Sequence, residues 1–176
     1  MKSYHKYFIF GTIAILVALI ALWPLIAETR AKSNIYRAME ETLILVEPDR
    51  IYDDIGPISV ECRDVMFFTT LCASELSFGT SDTRRDVSLR DIENYILEQV
   101  GTLKTNGWSQ YEYKAEVEDY PDLKGIKYLY FIQDKTFGSV NCEVLFNYAS
   151  RDSVTGESPS LDQHITCRQE LGLGIF

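Results

Sequence analysis

Phe8 to Ala27 reads FIFGTIAILVALIALWPLIA, twenty residues without a charge. No other feature constrains this chain as strongly. At ~1.5 Å of rise per residue a helix of that length covers ~30 Å, the thickness of a bilayer's hydrocarbon core. All four cysteines come later, in a polar, acidic stretch of globular composition. The chain therefore divides into a short basic tail (1–7), a transmembrane anchor (8–27), a juxtamembrane helix and linker (28–57) and one globular domain (58–176). A cleaved signal peptide is the competing reading of the run. Its apolar part exceeds the usual 7–15 residues of such peptides, and cleavage after Ala27 would place Leu25 where a small residue is needed.

Only Lys2 and Lys6 precede the run; 15 basic and all 26 acidic residues follow it. A domain this acidic lacks the clustered Lys and Arg that nucleic acid and anionic lipid require, so no nucleic-acid partner is expected. Charge does not orient the anchor, because Lys2 and Lys6 on one side are matched by Arg30, Lys32 and Arg37 on the other. The cysteines decide instead. An even number in a tethered domain points to disulfides, which persist in oxidising compartments. The expected location is a single-pass membrane protein with its C-terminal domain outside the cytoplasm.

Ile35, Met39, Leu43 and Val46 form one helical stripe, and Pro48 stops the helix. This helix either stands alone or extends the membrane helix with a kink at Pro24. After a loop over 49–57, alternation predicts a strand at 58–63 and β-branched and aromatic content a second at 65–78. Ser88 opens the clearest helix. It pairs with Asp91 as a capping box, carries an apolar stripe of Leu89, Ile92, Ile96, Val100 and Leu103, and stops at Asn106-Gly107. Strands follow at 108–118, 126–133, 140–148 and 164–170, with turns at 120–125 and 134–138 and a polar loop at 150–163. The fold class is α+β: an N-terminal transmembrane helix, then a small antiparallel sheet with one packed helix, in the order α-β-β-α-β-β-β-β.

Opposed residues in an antiparallel hairpin share a constant index sum. Cys142 and Cys167 sum to 309, which centres their turn between Val154 and Thr155, inside the polar loop. They can therefore lie opposite each other. Cys62 and Cys72 would centre on Phe67, a poor turn, so their pairing follows only by elimination. Four cysteines allow three connectivities, and the sequence leaves these open. No C-x-x-C pair is present, so neither zinc nor a redox role is expected.

His164 is the one histidine after the anchor, and it and Cys167 point to opposite faces of a strand. No G-x-S-x-G accompanies it. Glu116, Glu118, Asp119 and Asp122 crowd one hairpin end without calcium-loop spacing. The chain is therefore expected not to be an enzyme, with no catalytic residue, no metal and no cofactor. Trp108, Tyr111, Tyr113, Tyr128 and Tyr130 lie on neighbouring strands. If they share an exposed face they make a platform for a peptide or sugar, although cross-strand aromatics also stabilise ordinary sheets. The apolar tail Gly172 to Phe176 either covers the core edge or enters a partner's groove.

A membrane helix running into an amphipathic helix, then a sheet and a late disulfide, resembles type IV pilins and pseudopilins in outline. The resemblance implies a filament or secretion-assembly subunit. It does not extend to the processing motif of those proteins: Gly11 is followed by Thr12, and Leu16 stands where they carry a glutamate. The expected function is a membrane-anchored extracytoplasmic binding or scaffold domain. It would be tethered through residues 8–27 and would recognise an envelope protein, a peptide or a saccharide. A pilin-like subunit is the alternative, with a hydrolase behind it.

Overall fold

The computed structural model describes residues 2–66, 69–83, 87–120, 123–150 and 160–172. Within these, the side chains at 2–11, 16, 19–21, 66, 80, 89, 111–128, 150 and 160 lie outside the described set. Helix α1 (Lys2–Val46) is a single element that runs through Pro24 without interruption. Its two halves have different surroundings. Ala31, Ile35, Ala38, Met39, Thr42 and Val46 are buried, which is the expected stripe widened by its small residues. Toward the N-terminus Ile13, Ile15, Val17, Leu22, Trp23, Leu25 and Ile26 are all exposed.

Residues 8–27 are helical, but among the described residues no helix is long and apolar enough to cross a membrane. The expected span is not supported there, since the side chains at 8–11, 16 and 19–21 fall outside that set. Of the two arrangements expected for the helix after Ala27, the structure has the continuous one, because α1 carries through to Val46 as one element. It ends where Glu47 turns left-handed at φ 44, and Pro48 opens a short 3-10 turn. A proline lacks the amide needed to continue a helix, and it disfavours the α conformation in the residue before it.

The strands are β1 (Glu61–Met66), β2 (Thr69–Phe78), β3 (Ser109–Tyr120), β4 (Leu123–Phe137), β5 (Val140–Ser150) and β6 (Ser160–Gly172). With helix α2 (Leu89–Thr105) between β2 and β3 they give the expected element order. All six join one antiparallel sheet in the order β1-β2-β6-β5-β4-β3. β3 to β6 meander inward from the far edge until β6 pairs with both β5 and β2.

Several boundaries differ from the sequence reading. Met66 pairs with Thr69, so the stretch expected as one strand over 65–78 divides between the end of β1 and β2, and Phe67 and Phe68 lie outside the described residues. The turn expected at 134–138 sits at Gly138-Ser139, because Asp134, Lys135 and Thr136 still pair with β5. Gly138 has φ 63, the conformation a two-residue hairpin asks of its first turn residue. β6 begins at Ser160, inside the expected loop, whose residues 151–159 lie outside the described set.

Both helices cover the same sheet face. Phe78, Leu129, Phe131, Val140, Val144, Phe146, Tyr148, Leu161 and Ile165 are buried in the core beneath them. The start of α2 is the predicted capping box: Asp91 N donates to Ser88 Oγ at 3.3 Å, and Ser88 N to Asp91 Oδ2 at 3.1 Å. At the other end Trp108 N donates to Leu103 O and Gly107 N to Lys104 O, each at 3.1 Å, with Gly107 at φ 80. That is a Schellman stop, completed by the buried apolar side chains of Leu103 and Trp108. The Lys135 ammonium donates to Asn106 O at 2.7 Å, so a charge from β4 also caps the helix end.

The Tyr95 hydroxyl joins the two helices by donating to Val46 O at 2.8 Å, and it lies 3.4 Å from Gln163 Oε1. Tyr52 is equally buried and stacks on Phe78, but its hydroxyl has no hydrogen-bond partner among the described residues. Burial pushes both phenols well above the usual tyrosine range. The native state therefore holds these protons while the unfolded chain releases them near pH ~10. Their contribution is complete below that pH and declines above it.

Two pairs of substitutions test this arrangement. Gly101 lies inside α2 with open space around its Cα, so Gly101→Ala is expected to stabilise by about 0.5–1 kcal/mol. Gly107 has equally open space but a positive φ, so Gly107→Ala is expected to cost about 1 kcal/mol. Urea denaturation of the two variants will show opposite signs. Tyr95→Phe is expected to lose about 1 kcal/mol at neutral pH, whereas Tyr52→Phe loses little and reduces the fall in stability above pH ~10. Denaturation midpoints at pH 7 and 10.5 provide the check.

Candidate binding surface

With one face under the helices, the other face of the sheet is the natural place for a partner. Register fixes its rows. Ser77, His164, Leu145 and Ile132 oppose one another across β2, β6, β5 and β4. Asp162, Asn147 and Tyr130 form the next row, and Lys114 on β3 continues it. On the other side run Glu75, Thr166, Glu143 and Asp134. Ile132 is 8% exposed, while Leu145 and Tyr130 are half-buried. The face thus carries an apolar stripe bordered by carboxylates.

Of the five aromatic residues of the expected platform, Trp108 and Tyr130 have described side chains. Trp108 is buried against Phe137 at 5.9 Å between ring centroids and belongs to the core. The register pairs Tyr113 with Phe131, Tyr130 with Lys114 and Tyr128 with Glu116. Tyr130 and Phe131 are successive residues of β4 and so point to opposite faces. Phe131 itself is buried beneath the helices. The register of β3 against β4 is irregular between Gln110 and Glu112. The side chains of Tyr111, Tyr113 and Tyr128 lie outside the described residues, as do those of Glu116, Glu118, Asp119 and Asp122. What survives of the platform in the described residues is Tyr130, joined by Ile132 and Leu145, which the sequence reading did not single out.

His164 lies on this open face, opposite the direction of Cys167. Its Nδ1 stands 3.8 Å from Glu75 Oε1, a weak ion pair when the ring is protonated. That distance is too long for a hydrogen bond. Among the described residues no group of three His, Cys, Asp or Glu side chains is placed to hold a metal ion. A cavity of about 370 Å³ runs beside Glu75, lined by Glu61, Arg63, Leu71 and Ala73, with the Glu61–Arg63 ion pair at 2.7 Å on its wall.

The four cysteines form two disulfides, Cys62–Cys72 and Cys142–Cys167. Both join directly opposed residues, and every β5–β6 pair keeps the index sum set by the second. Their settings differ. Cys142 and Cys167 are fully buried in the centre of the sheet, whereas Cys62 is half-exposed on edge strand β1. Exchange requires access of a thiolate to sulfur. Mild reductant under native conditions is therefore expected to open Cys62–Cys72 first and to leave Cys142–Cys167 intact until the domain unfolds. Timed alkylation and peptide mass mapping will show the order, and equal rates would refute it.

The chain matches no protein-family model, no curated protein and no solved structure.

Proposed function

We propose that this chain is a single-pass membrane-anchored binding or scaffold protein whose disulfide-stapled α+β domain works outside the cytoplasm. The observation that carries the reading is the division of α1. Its C-terminal half is core, while seven large apolar side chains between Ile13 and Ile26 are exposed on the same rod. Exposed apolar surface on that scale marks a membrane or protein contact. The uncharged run to which it belongs has the length of a bilayer crossing. Two disulfides support an oxidising compartment. Tethering raises effective concentration, so modest affinity at the sheet face suffices. The face with Tyr130, Ile132 and Leu145 suits a peptide segment, a saccharide or the surface of an envelope protein.

A second reading has one observation in its favour. A continuous N-terminal helix packed on a sheet through only its C-terminal half resembles the outline of pilin-like subunits. In that case the exposed half would meet other copies of the chain.

The experiment is carbonate extraction of native membranes, followed by non-reducing peptide mapping and intact mass. The anchored reading expects the chain to stay in the pellet with both disulfides formed and its N-terminus whole. Release into the supernatant, or four free thiols, would overturn it. Loss of the segment through Gly11 would favour the pilin-like reading. For the binding face, Tyr130→Ala combined with Leu145→Ala is expected to abolish partner capture in crosslinked membranes while leaving the melting transition cooperative.

A further inference from the structure

We infer that the domain does not stand clear of the bilayer. One end of its sheet, at Asp64, Thr70, Leu171 and Gly172, rests in the lipid headgroup layer. This rests on the anchored reading above. The helix enters the domain without a linker: the uncharged run ends at Ala27, and Ala31 is already fully buried. Four residues of helix advance only ~6 Å. The headgroup layer on each side of a ~30 Å hydrocarbon core is itself ~5–8 Å deep. The domain therefore begins inside that layer.

The sheet reaches down further still. A cavity of about 430 Å³ is walled on one side by Trp23, Pro24, Ala27 and Glu28 of α1. Its other wall includes Asp64 of β1, Thr70 of β2 and Leu171 and Gly172 of β6. The sheet end thus stands beside the last turn and a half of the apolar run. If Ala27 marks the hydrocarbon boundary, the sheet end cannot lie above the headgroups.

The chemistry suits that depth. Trp23 is 58% exposed, and tryptophan concentrates at membrane–water interfaces because its ring is apolar and its N–H needs a polar partner. Asp64 Oδ1 accepts from Thr70 Oγ1 at 2.8 Å, and Glu28 pairs with Lys32 at 2.7 Å. These groups keep polar partners in a layer where water is scarce. The occupant of the cavity is then the zwitterionic lipid interface itself. An anionic surface would meet an acidic domain.

The test uses the full chain in phosphatidylcholine vesicles with a nitroxide on a single introduced cysteine. Gly172→Cys is the reporter, since a Cβ there meets nothing within 4 Å. Leu171→Cys is a second reporter in case the first variant fails to fold. Ser77→Cys is the control, eight residues along β2 from Thr69, the partner of Gly172, and so ~27 Å away at ~3.4 Å per residue. The expected result is that the label at 172 is more accessible to oxygen than to a water-soluble nickel chelate, with the reverse at 77. Equal aqueous accessibility at 172 and 77, in a chain that floats with the vesicles, overturns the inference and leaves the anchor standing. Low accessibility to both probes at 172 places a protein surface there and also overturns it. A chain that does not float overturns the anchored reading, and this inference with it.

Discussion

Everything in this molecule depends on one contact, the seating of α1's C-terminal half across β2, β6 and β5. The stripe from Ala31 to Val46 supplies one wall of the core, with Ile35, Met39 and Val46 fully buried. Truncating a buried Ile or Met commonly costs about 2–5 kcal/mol, so this stripe holds the helix in one position. Because the helix is continuous, that seating also fixes where its exposed apolar half leaves the domain. A stripe read as packing from the sequence therefore also sets the direction of the whole molecule. The small residues Ala31 and Ala38 let the rod lie close to the strands, and Thr42 turns its hydroxyl back to Ala38 O at 2.7 Å, so its burial leaves no orphan.

The sheet beneath is closed by its last strand. β6 pairs with β2 on one side and β5 on the other. The hairpin at the N-terminal edge and the meander at the other edge become one sheet only when β6 is in place. The Cys142–Cys167 bridge joins β6 to β5 in the buried centre, so it staples the element on which closure depends. The Cys62–Cys72 bridge does something different. It holds β1, six residues long and on the edge, where a short strand has few other contacts to retain it. Short, charged edge strands also discourage pairing with other chains, and Glu61, Arg63 and Asp64 provide the charges.

Much of this was legible in the sequence wherever a local rule governs. The capping box at Ser88 and Asp91, the stop at Asn106-Gly107 and the helical stripe of α1 follow from short-range chemistry, and they stand as read. The Cys142–Cys167 register was legible because one covalent pair fixes the whole ladder. What escaped depends on distant partners. The run from Val65 to Phe78 has strand composition throughout, and only the pairing of Met66 with Thr69 shows that it divides between β1 and β2. Periodicity puts Tyr130 and Ile132 on one side of β4, but it carries no sign. The alternate residues, Leu129 and Phe131, face the core, and so does Gln133. A glutamine at an inward position reads as outward from sequence. Here the Gln133 amide donates to Val100 O at 3.2 Å, a partner supplied by a helix more than thirty residues away. Trp108, expected beside the aromatic platform, is likewise held in the core by a distant partner, Phe137.

The division of surfaces then limits what the domain can offer a partner. One sheet face lies beneath two helices. The end beside Trp23 is committed by the direction of α1. What remains is the open face, where Tyr130 and Leu145 are half-buried and Ile132 is nearly covered. Such a stripe adds little apolar area by itself, while the carboxylates of Glu75, Asp134 and Glu143 stand beside it in register. Recognition there would depend on matching charge around a small apolar centre, the usual anatomy of a modest protein interface. On the anchored reading proposed above, the continuous α1 would present that face at a fixed height and orientation and so reduce the entropy lost on binding.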